Sequence, residues 1–372
     1  DWAFRAQCPP RHAAGSAGPW RSLVASAGND DCRANRRQLQ RSPMFYLFAA
    51  AGLGLLLFGG EMLVRGAVGL ARQLGVSPLL IGITIVAYGT TAPELLVSVE
   101  AHLSGHSGLA VGNVVGSNIA NMLLILGSAA LVYPLCCAPG AVRRGGTVMM
   151  AAAVLFVVLG WSGTIFAWQG ALMLFALACF SVLSYRWERT ANKHSNAEAA
   201  LHVEEAEEIE ETGPKSRAGA IVCLVAGVLC VVAGSHLLVE GAVGLARLFG
   251  VSEETIGLTL VAVGTSLPEL ATAVVSAYRR HPEVAIGNVI GANTFNVLGI
   301  MGIVPLFGHL PIPPTIAQFD LWIMLGITVF FVPWIQWCGR IARPLGVIFL
   351  VLYAAYVAAQ YLGMSGISAS QV

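Results

Sequence analysis

A six-residue motif with a carboxylate, a proline and hydroxyl groups occurs twice, each time inside a long apolar run. The first copy, Gly89–Glu94, reads G-T-T-A-P-E, and the second, Gly264–Glu269, reads G-T-S-L-P-E. Proline lacks an N–H and suits the first turn of a helix, while glycine lets the backbone turn just before it. Each copy therefore predicts a broken membrane helix, with a glutamate, hydroxyls and freed carbonyls near mid-membrane. Transporters commonly build ion sites in this way.

The composition is that of a polytopic membrane protein. Of the 372 residues, 56% are hydrophobic and 11% are charged, whereas a soluble domain carries about 25% charged residues. Apolar runs long enough to cross the hydrocarbon of a bilayer recur from Met44 onward and predict about ten spans. The predicted spans lie near 44–64, 76–101, 109–133, 147–160, 164–185, 218–239, 252–277, 284–308, 319–337 and 342–362.

Residues 1–43 differ from the rest of the chain. They are rich in Arg, Ala, Ser, Gly and Pro and contain neither an apolar span nor a signal peptide. We expect the native protein to start at Met44, so that this segment is not native; the alternative is a disordered basic tail. The remainder divides into a first repeat (44–185), an acidic loop (186–217) and a second repeat (218–372).

The two repeats are related by an internal duplication. Gly241 lies 175 positions after Gly66, and this offset holds without a gap through Gly127 and Gly302. The stretch G-A-V-G-L-A-R at 66–72 recurs letter for letter at 241–247. The stretch G-N-V-V-G-S-N-I-A-N at 112–121 recurs as G-N-V-I-G-A-N-T-F-N at 287–296. Chance periodicity does not produce such agreement, so the fold is expected to be built from two copies of one unit.

The expected fold is all-α, with about ten transmembrane helices in two five-helix repeats of inverted topology and with broken second and seventh helices. An odd number of spans per repeat inserts the second copy upside down. The loops after even-numbered spans carry Arg247 alone. By the positive-inside rule, the basic loops after odd-numbered spans, including the central one, face the cytoplasm and both termini face outward. Those loops carry Arg65, Arg72, Arg143, Arg144, Arg186, Arg189, Lys193, Lys215, Arg217, Arg279, Arg280, Arg340 and Arg343.

Glu94 and Glu269 lie deep within predicted spans. A carboxylate in hydrocarbon costs at least a few kcal/mol, so such a residue indicates a functional site. The alternative, a protonated or paired glutamate that joins helices, is disfavoured by the match between the two copies. Thr90 and Thr91 precede Glu94 by four and three residues, which places them on one face where the chain is helical. Their counterparts in the second copy are Thr265 and Ser266.

These side chains predict a site made of oxygen atoms. Two carboxylates, four hydroxyls and unwound carbonyls suit Ca²⁺ and Na⁺, whereas Zn²⁺ or Cu⁺ would prefer His or Cys, and neither flanks the motifs. The pair of ionised glutamates has a charge of −2, which one Ca²⁺ neutralises. Several Na⁺ can replace that Ca²⁺. Differential binding of two ions to one site is the minimal basis of an antiporter.

A polar stripe follows each motif. Asn113, Ser117 and Asn121 are spaced four residues apart and share one helix face. Their counterparts are Asn288, Ala292 and Asn296. We predict ligands at Ser117, Asn121 and Asn296, with Asn113 and Asn288 in supporting positions. The alternative is that these amides form hydrogen bonds between helices and bind no ion.

The two motifs, each followed by G-N-x-x-G-x-N-x-x-N, resemble the two α-repeats of the cation/calcium antiporter superfamily, and within it the prokaryotic sodium/calcium exchangers. The resemblance extends from Met44 to about Leu362. It implies ten helices in two inverted halves, with ions between the second, third, seventh and eighth helices. It also implies that the long, tilted first and sixth helices slide to switch access.

The resemblance also implies roles for individual residues. Glu94 and Glu269 would bind both ions, and Asn121 would be a ligand of the central site. Thr90 and Thr265 would add ligands, and the flanking sodium sites would be lined by Ala87, Thr91, Ala262 and Ser266.

Two positions depart from the family pattern. Ala292 stands where many relatives have a serine that helps to hold the outer sodium. Asn296 stands where prokaryotic and potassium-dependent relatives often have aspartate. The amide at this position removes a charge and, by resemblance, argues against K⁺ co-transport.

The expected function is secondary active antiport of Ca²⁺ against Na⁺ across the inner (plasma) membrane, by alternating access. No enzyme motif is found, and no cofactor or nucleic-acid partner is expected. Lipid would surround the protein; a monomer is expected, although no residue pattern decides the oligomeric state. H⁺/Ca²⁺ exchange is the alternative, although that branch typically has asparagine in place of the motif's threonine. A passive cation channel is a further alternative function.

Overall fold

The computed structural model describes residues 19–136, 139–195, 214, 216–249 and 264–361, and these are almost entirely helical. In the first repeat the helices are α1 (Pro19–Leu74), α2 (Pro78–Ile81), α3 (Ala87–Thr90), α4 (Ala92–Leu103), α5 (Ser107–Ala120), α6 (Leu126–Val132), α7 (Pro139–Gly160) and α8 (Ala167–Ser195). In the second they are α9 (Arg217–Leu248), α10 (Leu267–Tyr278), α11 (Pro282–Phe295), α12 (Met301–Ile303), α13 (Leu321–Cys338) and α14 (Arg343–Tyr361).

Short π-helical turns and two-residue strands complete these elements. The π turns are Gly82–Val86, Asn121–Ile125, Asn296–Ile300 and Ile316–Asp320, and a 3₁₀ turn covers Val304–Phe307. The strands are β1 (Leu135–Cys136), β2 (Thr164–Ile165), β3 (Leu310–Pro311) and β4 (Arg340–Ile341).

Eight helices of the described part are long and apolar enough to cross a membrane, and a bent pair is a ninth candidate. The bent pair consists of 78–90 and 92–103, which meet at an angle of 43°. The predicted span 252–277 falls partly outside the described residues, which resume at Gly264. The structure therefore confirms a polytopic all-α membrane protein, and the count of ten stays a prediction.

The first and sixth spans are longer than the sequence predicted. The apolar part of α1 runs over Pro43–Leu74, and α9 runs over Arg217–Leu248, so that each has 32 residues. The predicted limits of 64 and 239 were wrong because the G-A-V-G-L-A-R stretch, despite its glycines, is fully helical in both copies. A helix of this length exceeds the roughly 20 residues that span hydrocarbon. It must therefore tilt away from the bilayer normal or project beyond the hydrocarbon layer.

Two helices continue across boundaries that the sequence predicted. The backbone from Pro19 onward is helical and continues into α1, so residues 19–43 are helical rather than a disordered tail. Helix α8 continues to Ser195, ten residues beyond the predicted end of the first repeat at 185. The remainder of the predicted acidic loop lies largely outside the described residues.

Helices α1 and α9 pack closely and run in opposite directions. A Cβ atom at Gly52 would lie 2.7 Å from the carbonyl oxygen of Gly234, and one at Gly59 would lie 3.0 Å from that of Gly227. As the numbering rises along α1, it falls along α9. The 175-residue offset converts each of these two contacts into the other, so the equivalent helices are related by an approximate two-fold axis.

The strands obey the same relation. Strand β1 of the first repeat pairs with β4 of the second, and β2 of the first pairs with β3 of the second. Strands β1 and β3 lie 175 residues apart and β2 and β4 lie 176 residues apart, so the two small sheets exchange places under the approximate two-fold relation. Each sheet therefore ties one repeat to the other, at opposite ends of the helices.

Substitution of Gly59 tests the close packing of α1 and α9. In Gly59→Ala the new methyl group would lie 2.7 Å from Cys230 Cβ and 2.8 Å from Val231 N, so the helices must separate. Overpacking of this kind costs about 1–3 kcal/mol. We expect a lower thermal unfolding temperature in detergent for Gly59→Ala than for Gly54→Ala, since nothing lies within 4 Å of a Cβ at Gly54. Equal unfolding temperatures for the two variants would contradict the packing.

Candidate ion-binding site

The two motif glutamates occupy equivalent positions at the start of two helices. Glu94 lies in the first turn of α4 and Glu269 in the first turn of α10, each with a proline at the N-terminal end of the helix. The preceding residues, Thr91 and Ser266, have φ/ψ near −85°/1° and −88°/5°, which ends the helical path. The positive ends of the two helices therefore lie next to the carboxylates. The structure confirms the predicted break at the first motif.

Both carboxylates are buried and each receives a hydroxyl from the other repeat. Glu94 is 1% exposed and Glu269 is 0% exposed. The Thr91 hydroxyl lies 3.1 Å from Glu269 Oε1, and the Ser266 hydroxyl lies 3.5 Å from Glu94 Oε1. The two contacts are equivalent under the 175-residue offset. The two motifs therefore come together at one place, with the carboxylate of each beside a hydroxyl of the other.

The carbonyl of Ala87 is engaged within its own chain. It accepts from the backbone N–H of Thr91 and from the Thr91 hydroxyl at 2.7 Å, and the Thr90 hydroxyl lies 3.3 Å away. The predicted helix break suggested that this carbonyl would be free of hydrogen bonds. It is not free, because the two threonines reach it. Ala262, its counterpart, lies outside the described residues.

The supporting asparagines contact the motifs in different ways. Asn113 donates to the backbone carbonyl of Glu94 at 3.2 Å and to the Ser98 hydroxyl at 3.0 Å. Asn288 Oδ1 lies 3.3 Å from the Thr90 hydroxyl, whose one proton can go either to it or to the Ala87 carbonyl. Asn113 therefore contacts the backbone of Glu94, and Asn288 contacts the side chain of Thr90.

Four asparagines form two crossed pairs between the repeats. Asn121 donates from Nδ2 to Asn293 Oδ1 at 2.9 Å, and Asn296 donates from Nδ2 to Asn118 Oδ1 at 3.0 Å. Asn121 and Asn296 each begin a π turn, and π turns often occur at functional sites. Helix α10 packs against the first of these turns and α4 against the second. Both asparagines therefore lie near a glutamate-bearing helix.

Asn118 and Asn293 were not among the predicted site residues. Asn118 falls one position off the helical stripe of Asn113, Ser117 and Asn121, so helical periodicity excluded it. Both copies nevertheless have asparagine at this position, and that agreement is the signal that could have found the pair. Ser117, a predicted ligand, is buried one turn before Asn121.

Several buried oxygen atoms of the site lack a hydrogen-bond partner within the described part of the chain. They are Glu94 Oε2, Glu269 Oε2, Asn121 Oδ1, Asn296 Oδ1 and Thr265 Oγ1. An unsatisfied buried acceptor costs about 1–3 kcal/mol, and native proteins rarely leave one without a reason. Acceptor oxygens with no donor are what a hard cation needs. Within the same residues, no cluster of three or more His, Cys, Asp or Glu side chains forms another metal site.

The fold and the site together define a class of protein. A membrane helix broken at the first motif, with buried carboxylate and amide oxygens from both repeats beside it, is typical of secondary ion transporters. The chain belongs to the sodium/calcium exchanger protein family, whose family model matches residues 44–186 and 219–362. It is therefore a membrane transporter and not an enzyme.

Individual relatives match over most of their length. The putative antiporter CaxA of Alkalimonas amylolytica is 35% identical over 85% of this chain and 97% of its own. The sodium/calcium exchanger MaX1 of Methanosarcina acetivorans is 32% identical over 84% and 97%. The solved structure of the sodium-calcium exchanger NCX_Mj soaked with zero Na⁺ and Ca²⁺ superposes with a TM-score of 0.73 at 27% identity, covering 85% of this chain and 98% of that one.

Neutralising either glutamate should abolish cation exchange. In Glu94→Gln or Glu269→Gln the side chain keeps its size, but the site loses half of its charge of −2. We expect ⁴⁵Ca²⁺ exchange by either variant in proteoliposomes to fall by at least about 100-fold, since losing a charged ligand costs several kcal/mol. Thr272→Val is the matched control, because the Thr272 hydroxyl bonds to Pro268 O of its own helix. Full exchange by either glutamine variant would refute the shared site.

Proposed function

We propose that this protein exchanges Ca²⁺ for Na⁺ across the inner membrane by alternating access. The observation that supports this most directly is the set of buried acceptor oxygens that have no partner among the described residues and that come from both repeats. Two carboxylates match the charge of one Ca²⁺, and several Na⁺ at overlapping positions would compete with it. Glu94, Glu269, Asn121 and Asn296 would hold Ca²⁺ at the centre.

The remaining predicted ligands would complete the sodium positions on either side. Thr91 and Ser266 already contact the carboxylates, so a Na⁺ beside each could use a hydroxyl and a carboxylate oxygen together. Thr90, Thr265, Ser117 and the carbonyl of Ala87 would add oxygens, although the Ala87 carbonyl must first release Thr91. We propose the same role for the carbonyl of Ala262. Ala292 offers no hydroxyl, which would weaken the sodium position beside it.

Contacts between loops support the proposed orientation in the membrane. At one end β1 pairs with β4, and Arg280 lies 5.8 Å from the ring centroid of Tyr133. At the other end β2 pairs with β3. The first end gathers loops after odd-numbered spans, which carry the arginines, and the second gathers loops after even-numbered spans. We infer that the arginine-bearing end is cytoplasmic and that both termini are outside. The relative YrbG of Escherichia coli, 35% identical, is named an inner membrane protein.

A second candidate function is H⁺/Ca²⁺ exchange. Each glutamate has an oxygen without a partner among the described residues, and such an oxygen can accept a proton as well as a metal ion. The motif threonines Thr90 and Thr265 favour the sodium-coupled branch.

Uptake of ⁴⁵Ca²⁺ into proteoliposomes distinguishes the two candidates. Vesicles are loaded with Na⁺, K⁺ or neither, with and without a pH gradient, and empty liposomes serve as the control. Sodium-driven exchange predicts uptake that requires internal Na⁺ and ignores the pH gradient. Uptake driven by the pH gradient alone would overturn the proposal in favour of proton coupling.

A charge added at Asn296 should change the monovalent dependence of exchange. Asn296→Asp raises the charge of the site to −3, so more cationic charge is needed to neutralise it. We expect a shift in the Na⁺ and K⁺ concentration dependence of ⁴⁵Ca²⁺ exchange. Asn121→Asp, the same change at the equivalent position, is the comparison that separates total charge from position. Na⁺ and K⁺ profiles identical to those of the parent protein would contradict this expectation.

A further inference from the structure

We infer that Asn118 and Asn293 are positioning residues that turn the amide oxygens of Asn121 and Asn296 toward the cation. This inference rests on the proposed function, because it concerns the same ion site. It assigns a task to two buried side chains that the ligand set does not include.

An asparagine ligand has two ends of opposite character. Its Oδ1 accepts and can bind a cation, whereas its Nδ2 donates and would repel one. The two ends have nearly the same shape, so packing alone does not decide which end faces the site. A carboxylate at the same position would have no such problem, because both of its ends are oxygens. An amide ligand in a cation site therefore needs a neighbour that holds its Nδ2.

The crossed pairs supply such neighbours. Asn293 Oδ1 accepts from Asn121 Nδ2 at 2.9 Å, and Asn118 Oδ1 accepts from Asn296 Nδ2 at 3.0 Å. In both pairs the donor is the predicted ligand and the acceptor is the other residue. Asn121 Oδ1 and Asn296 Oδ1 are buried without a partner among the described residues, as the site requires. The same polarity occurs at both equivalent positions, which a chance contact would not produce.

The orientation of Asn118 is itself determined by a neighbour. Its Nδ2 donates to the sulfur of Met324 on α13 at 3.5 Å, so its Oδ1 faces the opposite way, toward Asn296. A chain of contacts thus runs from Met324 through Asn118 to Asn296. Asn293 Nδ2 has no such partner among the described residues. Asn296 is thus the more firmly oriented of the two amide ligands.

A double-mutant cycle between positions 118 and 296 tests the inference. Asn118→Leu has nearly the same shape as the parent side chain but cannot hold Asn296 Nδ2. We expect it to weaken Ca²⁺ binding by about tenfold in the parent protein. In the Asn296→Asp background the same change should weaken binding less than about threefold, because a carboxylate presents an oxygen in either orientation. Calcium alone is the probe, titrated calorimetrically into the purified full chain in detergent.

The outcomes separate the inference from the proposed function. Equal weakening by Asn118→Leu in both backgrounds would overturn the positioning role, since a structural defect would not depend on residue 296. Failure of the parent protein to bind Ca²⁺ at all would overturn the proposed function instead. Thr294→Val is the matched control and should bind like the parent, because the Thr294 hydroxyl bonds within its own helix. If Asn118→Leu does not purify as a single species, the equivalent cycle of Asn293→Leu with Asn121→Asp decides.

Discussion

Two buried carboxylates, Glu94 and Glu269, set the conditions that the rest of the structure must satisfy. Removing such a charge from water costs several kcal/mol, and the fold returns part of that through helix N-termini and through hydroxyls from the opposite repeat. One oxygen of each carboxylate still lacks a partner among the described residues. The protein therefore holds a deficit of positive charge that a bound cation relieves. A transported ion stabilises the site as it binds. Because the site has a fixed charge, one divalent ion would be replaced by more than one monovalent ion.

The helix breaks and the glycines serve this arrangement. Proline at the start of α4 and of α10 permits a new helix there but not a continuous one, so each glutamate lies where a helix begins. Glycine lets α11 approach the broken second span closely. A Cβ at Gly287 would lie 2.6 Å from Leu79 O, and a Cβ at Gly291 would lie 2.6 Å from Ala87 Cβ. Larger residues at these two positions would move Asn288 and Asn296 away from the first motif.

Much of the fold and of the candidate site could be predicted from the sequence, because each key motif occurs in both repeats. The glutamates, the break at the first motif and the polypeptide's membrane character followed from residue types and from one offset. The limits of α1 and α9 could not be predicted, since an apolar stretch does not say where a helix stops projecting beyond hydrocarbon. Helical periodicity also missed Asn118, because its partner Asn296 lies in the other repeat. Contacts between repeats arise from tertiary packing, which spacing within one helix does not encode.

The places where the repeats differ have a physical consequence. If two identical halves exchanged roles during alternating access, the inward-facing and outward-facing states would have equal energy. A preference must therefore come from positions without a matching counterpart. Glu61 on α1 forms ion pairs with Arg65 and with Arg279 at the end of α10, whereas the equivalent of Glu61 is His236. Because the pair with Arg279 joins the long first helix to the end of a glutamate-bearing helix, sliding of α1 would strain or break it. In the alternating-access cycle proposed above, this ion pair would favour one of the two states, because the equivalent positions, His236 and Ser104, could not form the same pair.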